Sequence, residues 1–266
     1  MSPSQDRSAD RSANRAPSRA EARERIAARA ALEVRAGEIV NLGIGLPTEV
    51  ARHLPSDGSV RVHAENGIVG MGPAAGPGSE DPDLIDAGGR YVTVLPGAAY
   101  LDSVTSFALV RGGRVGVCVL GAFETDVRGD LANWRVPGRA APGVGGAMEL
   151  AQRVPRVIVT TLHTDRSGAP KLVQRCALPL TARGCVTRIV TELAVLEPAG
   201  DRFRLLELAP GATLDEVRTA TGAELDDAAV QAWGGSVGAA DTRRAGDARR
   251  GADAGDPTSA DDEKGA

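Results

Sequence analysis

Residues 38–48 read EIVNLGIGLPT. Glu38-Ile39-Val40-Asn41-Leu42 has the aliphatic density of a strand. It runs through Gly43-Ile44-Gly45 into a short helix expected over Pro47–Leu54, with proline in the first turn, where its missing N–H costs nothing. A strand handed directly to a helix is the repeating unit of α/β sheets. Backbone N–H groups at such a helix start can hold an anion. Gly43 and Gly45 make only half of a dinucleotide fingerprint, however, because no third glycine follows. An anion cradle and a plain tight strand-to-helix turn both explain them, so they stand as candidates for an anion-binding loop.

Outward from this unit the same alternation continues. Glu21–Val34 carries Ile26, Ala30 and Leu32 among charges and reads as an amphipathic helix ended by Gly37. Strands are expected at Val60–His63, Tyr91–Leu95, Arg114–Leu120, Arg156–Thr161, Ile189–Leu196 and Phe203–Leu208. Helices are expected over Asp102–Arg111 and Thr213–Thr221, the second with Thr213 as cap, Glu216 three residues on and Gly222 as stop. Several strands are apolar at consecutive positions, as when helices cover both faces. The expected fold is α/β: one domain with a largely parallel sheet flanked by helices, over residues 21–228. Residues 1–20 and 229–266 are polar, mixed in charge and poor in large apolar side chains, and read as disordered tails.

The totals narrow the function classes. The chain has 266 residues, 42% hydrophobic and only 3% aromatic, so its core must rest on aliphatic side chains. A formal charge of -4 gives no basic footprint for nucleic acid. No apolar run has the length of a membrane span. The N-terminus is rich in Arg and Ser, but it has no apolar stretch of secretory type, and Asp6 and Asp10 do not suit a transit peptide. The cysteines Cys118, Cys176 and Cys185 form no CxxC pair and are odd in number, which fits a reducing cytoplasm. Cys118, within VGVCVL (115–120), reads as a small buried hydrophobe.

Four stretches carry candidate chemistry; the strand-to-helix turn above is the first. The second is HAENGIVGMGP (63–73). Asn66-Gly67 favours a turn with positive φ, which would aim Glu65 out of the end of a strand, where open α/β sheets bind ligands. A carboxylate there can act as base, nucleophile or metal ligand; an ordinary surface turn with a solvated acid fits the same letters. The third is PGVGGAM (142–148), whose glycines leave backbone amides uncovered, as in an oxyanion hole or a flexible loop. The fourth is GDLANW (129–134), where Trp134 either walls a pocket or simply packs. His63 and His163 have no partner at ligand spacing, and Asp81, Asp83 and Asp86 read as turn or helix caps, so no metal site is expected.

Taken together and in order, these pieces resemble the β subunit of the family I 3-oxoacid CoA-transferases. The resemblance runs from about Ala22 to Leu225 through VNLGIGLPTEVA (40–51), HAENGIVGMGP (63–73), SEDPDLIDAGG (79–89), VTVLPGAAYLDSVTSFALVRGG (92–113), LGAF (120–123), GDLANW (129–134), GVGGAMEL (143–150), GAPKLV (168–173) and LLELAPG (205–211). It implies that Glu65 is the nucleophile of a Ser-Glu-Asn-Gly motif, supported by Asn66 and Gly67. Ala64 stands where the family has serine. It implies a backbone oxyanion donor at Gly145 or Gly146, a CoA or substrate loop at Gly43 and Gly45 as an alternative to the plain turn, and an α subunit as partner in a heterodimer or heterotetramer. Glu49, where the family usually has an apolar residue, is given no role.

The implied reaction moves CoA from succinyl-CoA to a 3-oxoacid by ping-pong chemistry, with a glutamyl-CoA thioester on Glu65. CoA thioester is substrate; no cofactor is expected. Leu101-Asp102-Ser103 and Val136-Pro137-Gly138 suggest acetoacetate as acceptor, whereas Gly121-Ala122-Phe123 and Gly184–Arg188 suggest 3-oxoadipate, slightly favoured. Two alternatives stay open. One is a non-catalytic regulatory subunit, with Ala64 marking decay of the site. The other is a sugar-phosphate isomerase on a related fold, against which stands the lack of a well-placed lysine near these loops.

Overall fold

The computed structural model describes residues 17–138, 143–228 and 230–233. Most of both expected tails lies outside the described residues, as does Pro142 of the glycine-rich loop. Helix α1 (Arg19–Ala31) begins earlier than the apolar periodicity indicates, because Ser18 and Glu21 form a reciprocal capping box. Strand β1 (Ile39–Leu42) leads into α2 (Leu46–Glu49) and a 3-10 turn, Val50–His53. Then come β2 (Arg61–Ala64), β3 (Ile68–Ala74), β4 (Val92–Tyr100), α3 (Ser103–Arg111), β5 (Val117–Leu120), β6 (Glu124–Asp126), β7 (Leu131–Ala132), α4 (Ala147–Arg153) and β8 (Arg156–Thr160). The remainder is β9 (Leu172–Val173), β10 (Val186–Val190), β11 (Ala194–Pro198), β12 (Phe203–Leu208), α5 (Leu214–Ala220), β13 (Leu225–Asp226) and β14 (Gln231–Ala232). Asp102 caps α3, and Thr213 with Glu216 boxes the start of α5, the latter as expected.

The main sheet runs β13-β12-β11-β10-β8-β5-β1-β2-β3-β4, with β14 beside β12. Its centre, β10-β8-β5-β1-β2, is parallel throughout. The hairpins β2–β3–β4 and β10–β11–β12 extend it antiparallel on both sides. Central strands alternate their side chains between two cores. Cys118 and Leu120 of β5 join Leu150, Val157 and Phe203 on one face, whereas Val117 and Val119 join Ile26, Val40 and Val62 on the other. Each fully buried aliphatic side chain contributes roughly 1.5–3 kcal/mol. Arg29 crosses from α1 to β12 and donates two hydrogen bonds to Glu207, at 2.8 and 2.6 Å, and one to Glu33 at 2.8 Å. All three side chains are buried.

Four details differ from the sequence expectation. Residues 189–196 are not one strand: the chain reverses between β10 and β11. Thr191 makes that turn, its Oγ1 accepting from the Leu193 and Ala194 amides at 3.2 and 3.0 Å. Strand β3 forms in a stretch where no strand is expected; Gly70 and Gly72 lie against Ala98 and Thr93 of β4 too closely for a side chain. Helix α4 follows the glycine loop directly. The ordered unit also reaches slightly past the expected boundaries, since Ala20 lies in α1 and Gln231–Ala232 pairs with β12.

Candidate active site

Glu65 sits on the hairpin turn between β2 and β3. The Gly67 N–H donates to the Ala64 carbonyl at 2.9 Å, and the Leu101 N–H to the Gly67 carbonyl at 2.8 Å. Gly67 has φ +124, and a Cβ there would lie 2.0 Å from the Leu101 oxygen, so this position accepts only glycine. The Asn66 amide donates to the Ile85 carbonyl at 2.8 Å. A buried relay fixes the turn from below. The Ser106 hydroxyl donates to the Glu65 carbonyl at 2.8 Å, and His63 Nε2 lies 2.8 Å from the same hydroxyl. With Ser106 donating to Glu65, His63 carries its proton on Nε2 and accepts at Nδ1 from the Asn41 amide, at 3.1 Å. Burial lowers the His63 pKa to about 4, so the ring is neutral, as this chain of bonds requires.

The Glu65 side chain turns towards the glycine loop. The Gly146 N–H donates to Oε1 at 3.2 Å. A Cβ on Gly146 would stand 2.7 Å from Glu65 Cδ and Oε2 and 2.7 Å from Phe107 Cζ; one on Gly145 (φ +54) would stand 3.9 Å from Oε1. Burial raises the Glu65 pKa above the ordinary carboxylate value, with the Gly146 N–H acting the other way. The result is a half-buried carboxylate, more basic than one in water, held by a single backbone donor. It separates two cavities. One, of about 530 Å³, lies over the carboxyl ends of β1, β5 and β8. The other, of about 470 Å³, lies between the turn and α3, lined by Ser103, Phe107 and Arg111.

The larger cavity occupies the point where connections diverge. The chain leaves β1 towards β2 and leaves β5 towards β8, on opposite sides. Loops at such a switch point splay apart and leave a crevice. Gly43 lines it, but its lack of a side chain is explained by packing, because a Cβ there would stand only 3.1 Å from Leu120 Cδ2 and 3.2 Å from Val119 O. Gly45 is required by φ +95 and does not line the cavity. The tight-turn reading therefore accounts for both glycines. Trp134 is part of the cavity wall, its Nε1–H donating to the Leu180 carbonyl at 3.3 Å.

Sequence reasoning missed Lys171, which lines this cavity. The expectation that no lysine stands near the loops is thus corrected. Lys171 precedes β9, and the pairing of β9 with β6, not any nearby motif, brings it to the ends of β5 and β8. Its one sequence signal is its place in GAPKLV (168–173). The aspartates cap turns: Asp86 accepts from the Gly88 and Arg90 amides, and Asp81 from the Asp83 amide. Glu49 pairs with Arg23. Among the described residues no group of three or more His, Cys, Asp or Glu side chains is arranged to hold a metal ion.

The coenzyme A transferase family matches residues 23–220. The β subunit of the acetate CoA-transferase of Escherichia coli (strain K12) is 47% identical over 206 residues, which is 77% of this chain and 94% of that protein. A 3-oxoadipate CoA-transferase subunit from Acinetobacter baylyi is 44% identical over 206 residues, 77% of this chain and 95% of that protein. Among solved structures, an acyl-CoA transferase apoenzyme from Escherichia coli O157:H7 superposes with a TM-score of 0.63 at 21% identity, over 82% of this chain and 44% of that longer chain. Continuous similarity over most of the chain, with the α/β fold the sequence implied, places the protein in the coenzyme A transferase family.

Proposed function

We propose that this chain is the β subunit of a CoA transferase that works with an α subunit, takes CoA from succinyl-CoA and delivers it to a 3-oxoacid, with 3-oxoadipate favoured over acetoacetate. The observation that carries this reading is the Glu65 carboxylate, desolvated, bonded to the Gly146 N–H and standing between two cavities. The relatives are single subunits of CoA transferases for acetate and for 3-oxoadipate, which supports both the partnership and the range of acids. Of the segments that suggest an acceptor, Gly121-Ala122-Phe123 lines the larger cavity, which is why 3-oxoadipate keeps its edge.

In the proposed reaction Glu65 attacks the thioester carbonyl, CoA thiolate leaves, and an acyl-glutamyl anhydride forms. The thiolate attacks the glutamyl carbonyl, expelling the first carboxylate and leaving a glutamyl-CoA thioester. The second acid reverses both steps. Burial makes the carboxylate a better nucleophile than it is in water. The Gly146 N–H addresses an oxygen of Glu65 itself, so it serves the oxyanion that forms whenever the glutamyl carbon is attacked. One such donor accounts for about 100–1000-fold in rate. Only carboxylates, thiolate and thioester change, so the proposal includes no metal or redox cofactor. No described helix is long and apolar enough to cross a membrane; a cytoplasmic location belongs to the same proposal.

The test is intact-protein mass after mixing this chain, its co-expressed α subunit and succinyl-CoA. A gain of CoA minus water on this chain is expected, removed by hydroxylamine and absent from Glu65→Ala. No adduct on a folded complex would refute the transferase mechanism and favour the regulatory or isomerase reading.

A further inference from the structure

Three cations line the larger cavity: Arg19, Arg23 and Lys171. Arg23 is committed to Glu49, and Arg19 is solvent-exposed at the rim. Lys171 is half-buried. Its ammonium donates to Thr161 Oγ1 at 2.9 Å and reaches the Ala122 carbonyl at 3.5 Å, and it makes no ion pair among the described residues. Two carboxylates act on it electrostatically without pairing with it: Glu192 accepts from the His163 amide at 3.0 Å, and Asp165 from the Ser167 and Ala169 amides at 2.8 and 3.0 Å. An ammonium has three donors, so one remains for a ligand. A desolvated cation without an anion is costly. The cavity it lines carries the apolar side chains of Leu120, Ala122, Phe123 and Leu162 beside the polar ones of Asn133, Thr160 and Thr161.

Position decides which anion fits. Lys171 is anchored where β5 and β8 end, whereas Glu65 follows β2. Strands β5 and β8 lie two and three places from β2, so the backbones that carry the two side chains stand roughly 10 and 14 Å apart at about 4.8 Å per strand, and both side chains line the one cavity between them. A four-carbon dicarboxylic acyl group spans about 5 Å from reacting carbonyl to far carboxylate at ~1.5 Å per bond. One bond-forming distance to Glu65 and a hydrogen bond of about 2.8 Å at the far end bring the reach to roughly 10 Å. An acetyl group has no second carboxylate to offer.

We infer that Lys171 binds the distal carboxylate of a dicarboxylic acyl group whose thioester carbon lies at Glu65, and so selects diacid over monoacid substrates. This rests on the proposed transferase reading and adds to it the residue that sets the acid class. Thr161 and the Ala122 carbonyl hold the ammonium in place, and the apolar wall strengthens its bond to the carboxylate.

The experiment uses the complex with the α subunit and follows formation of the Glu65–CoA thioester from succinyl-CoA and from butyryl-CoA, which differ at the far group alone. Wild type should react with succinyl-CoA about 10- to 100-fold more efficiently, the range of one charge-assisted hydrogen bond. Lys171→Met should remove that preference while leaving the butyryl-CoA rate within about threefold, and Lys171→Arg should keep part of it. Equal slowing of both substrates would overturn the inference and assign Lys171 to structure or to the CoA phosphates. Equal use of both by the wild type would overturn it without need of the variant. Adduct from neither in the wild type would overturn the transferase reading itself, and the inference with it.

Discussion

Replacing Gly146 by alanine separates placement of the nucleophile from stability of the fold. Gly146 has φ -78 and ψ -4, a right-handed conformation open to any L-residue. The backbone therefore does not resist the change. Alanine caps a helix less well than glycine but restricts the unfolded chain, and the two effects, each about 1 kcal/mol or less, oppose each other. The new methyl would stand 2.7 Å from Glu65 Cδ and Oε2 and from Phe107 Cζ. Ordinary carbon contacts lie at about 3.5–4.0 Å, so the carboxylate must retreat by roughly 1 Å. Its hydrogen bond to the Gly146 N–H is already 3.2 Å long, near the limit for such bonds. A retreat of that size breaks it.

Loss of one oxyanion donor typically lowers kcat about 100–1000-fold, or roughly 2.7–4 kcal/mol; misplacing a reacting group by about 1 Å is of similar consequence. The expected outcome for Gly146→Ala is a kcat down by at least about 100-fold and slow formation of the CoA adduct, with a melting temperature close to wild type. The assay is steady-state CoA transfer beside a thermal melt of the same complex. Activity within about threefold of wild type, on a protein that melts normally, would refute the reasoning that Gly146 sets the carboxylate's position.

Two further perturbations test other parts of the structure. Burial raises the Glu65 pKa, so the folded state favours the protonated acid; its stabilising influence is complete below the unfolded carboxylate value and is lost as pH rises through the folded one. Glu65→Gln should therefore be more stable than wild type at pH 7, the advantage shrinking to nothing below about pH 4; urea unfolding at both pH values checks this, and a less stable variant at pH 7 would contradict it. Arg29→Met removes the bidentate partner of buried Glu207 and leaves Glu33 with Arg188 at 3.6 Å, and should cost about 3–5 kcal/mol in urea. Because Arg29 lines neither cavity, the folded fraction should keep its kcat; a loss under about 1 kcal/mol would show the cluster to be adequately solvated.

What could be read from the sequence depended on how local its physical cause was. The Glu65 turn was legible because Asn66-Gly67 announces its backbone conformation locally, whereas its ties to Ile85, Leu101 and Ser106 appear only in the fold. The α5 capping box was legible for the same reason. Strand β3 was not, because Gly70 and Gly72 resemble loop glycines until β4 is seen packed on them. The β10–β11 reversal was hidden because a threonine hydroxyl, not Gly, Asn or Pro, makes the turn.

The site repeats this division at a larger scale. Glu65 and Gly146 are brought together across 81 positions by the order of strands, yet each carried a local mark: an acid on a special turn, a run of glycines. Lys171 carried none of that kind. It reaches the cavity through the register Thr125↔Leu172 in the small β7-β6-β9 sheet, which sets the segment before β9 against the ends of β5 and β8. The proposed nucleophile can thus be recognised from its own few residues, because the chemistry proposed for it constrains the backbone on which it sits. A residue that reads the far end of a substrate is constrained only by distance from that nucleophile. Distance of this kind is a property of the sheet. The acid class of such a transferase is therefore to be sought in the strands opposite the glutamate, not in the motif that carries it.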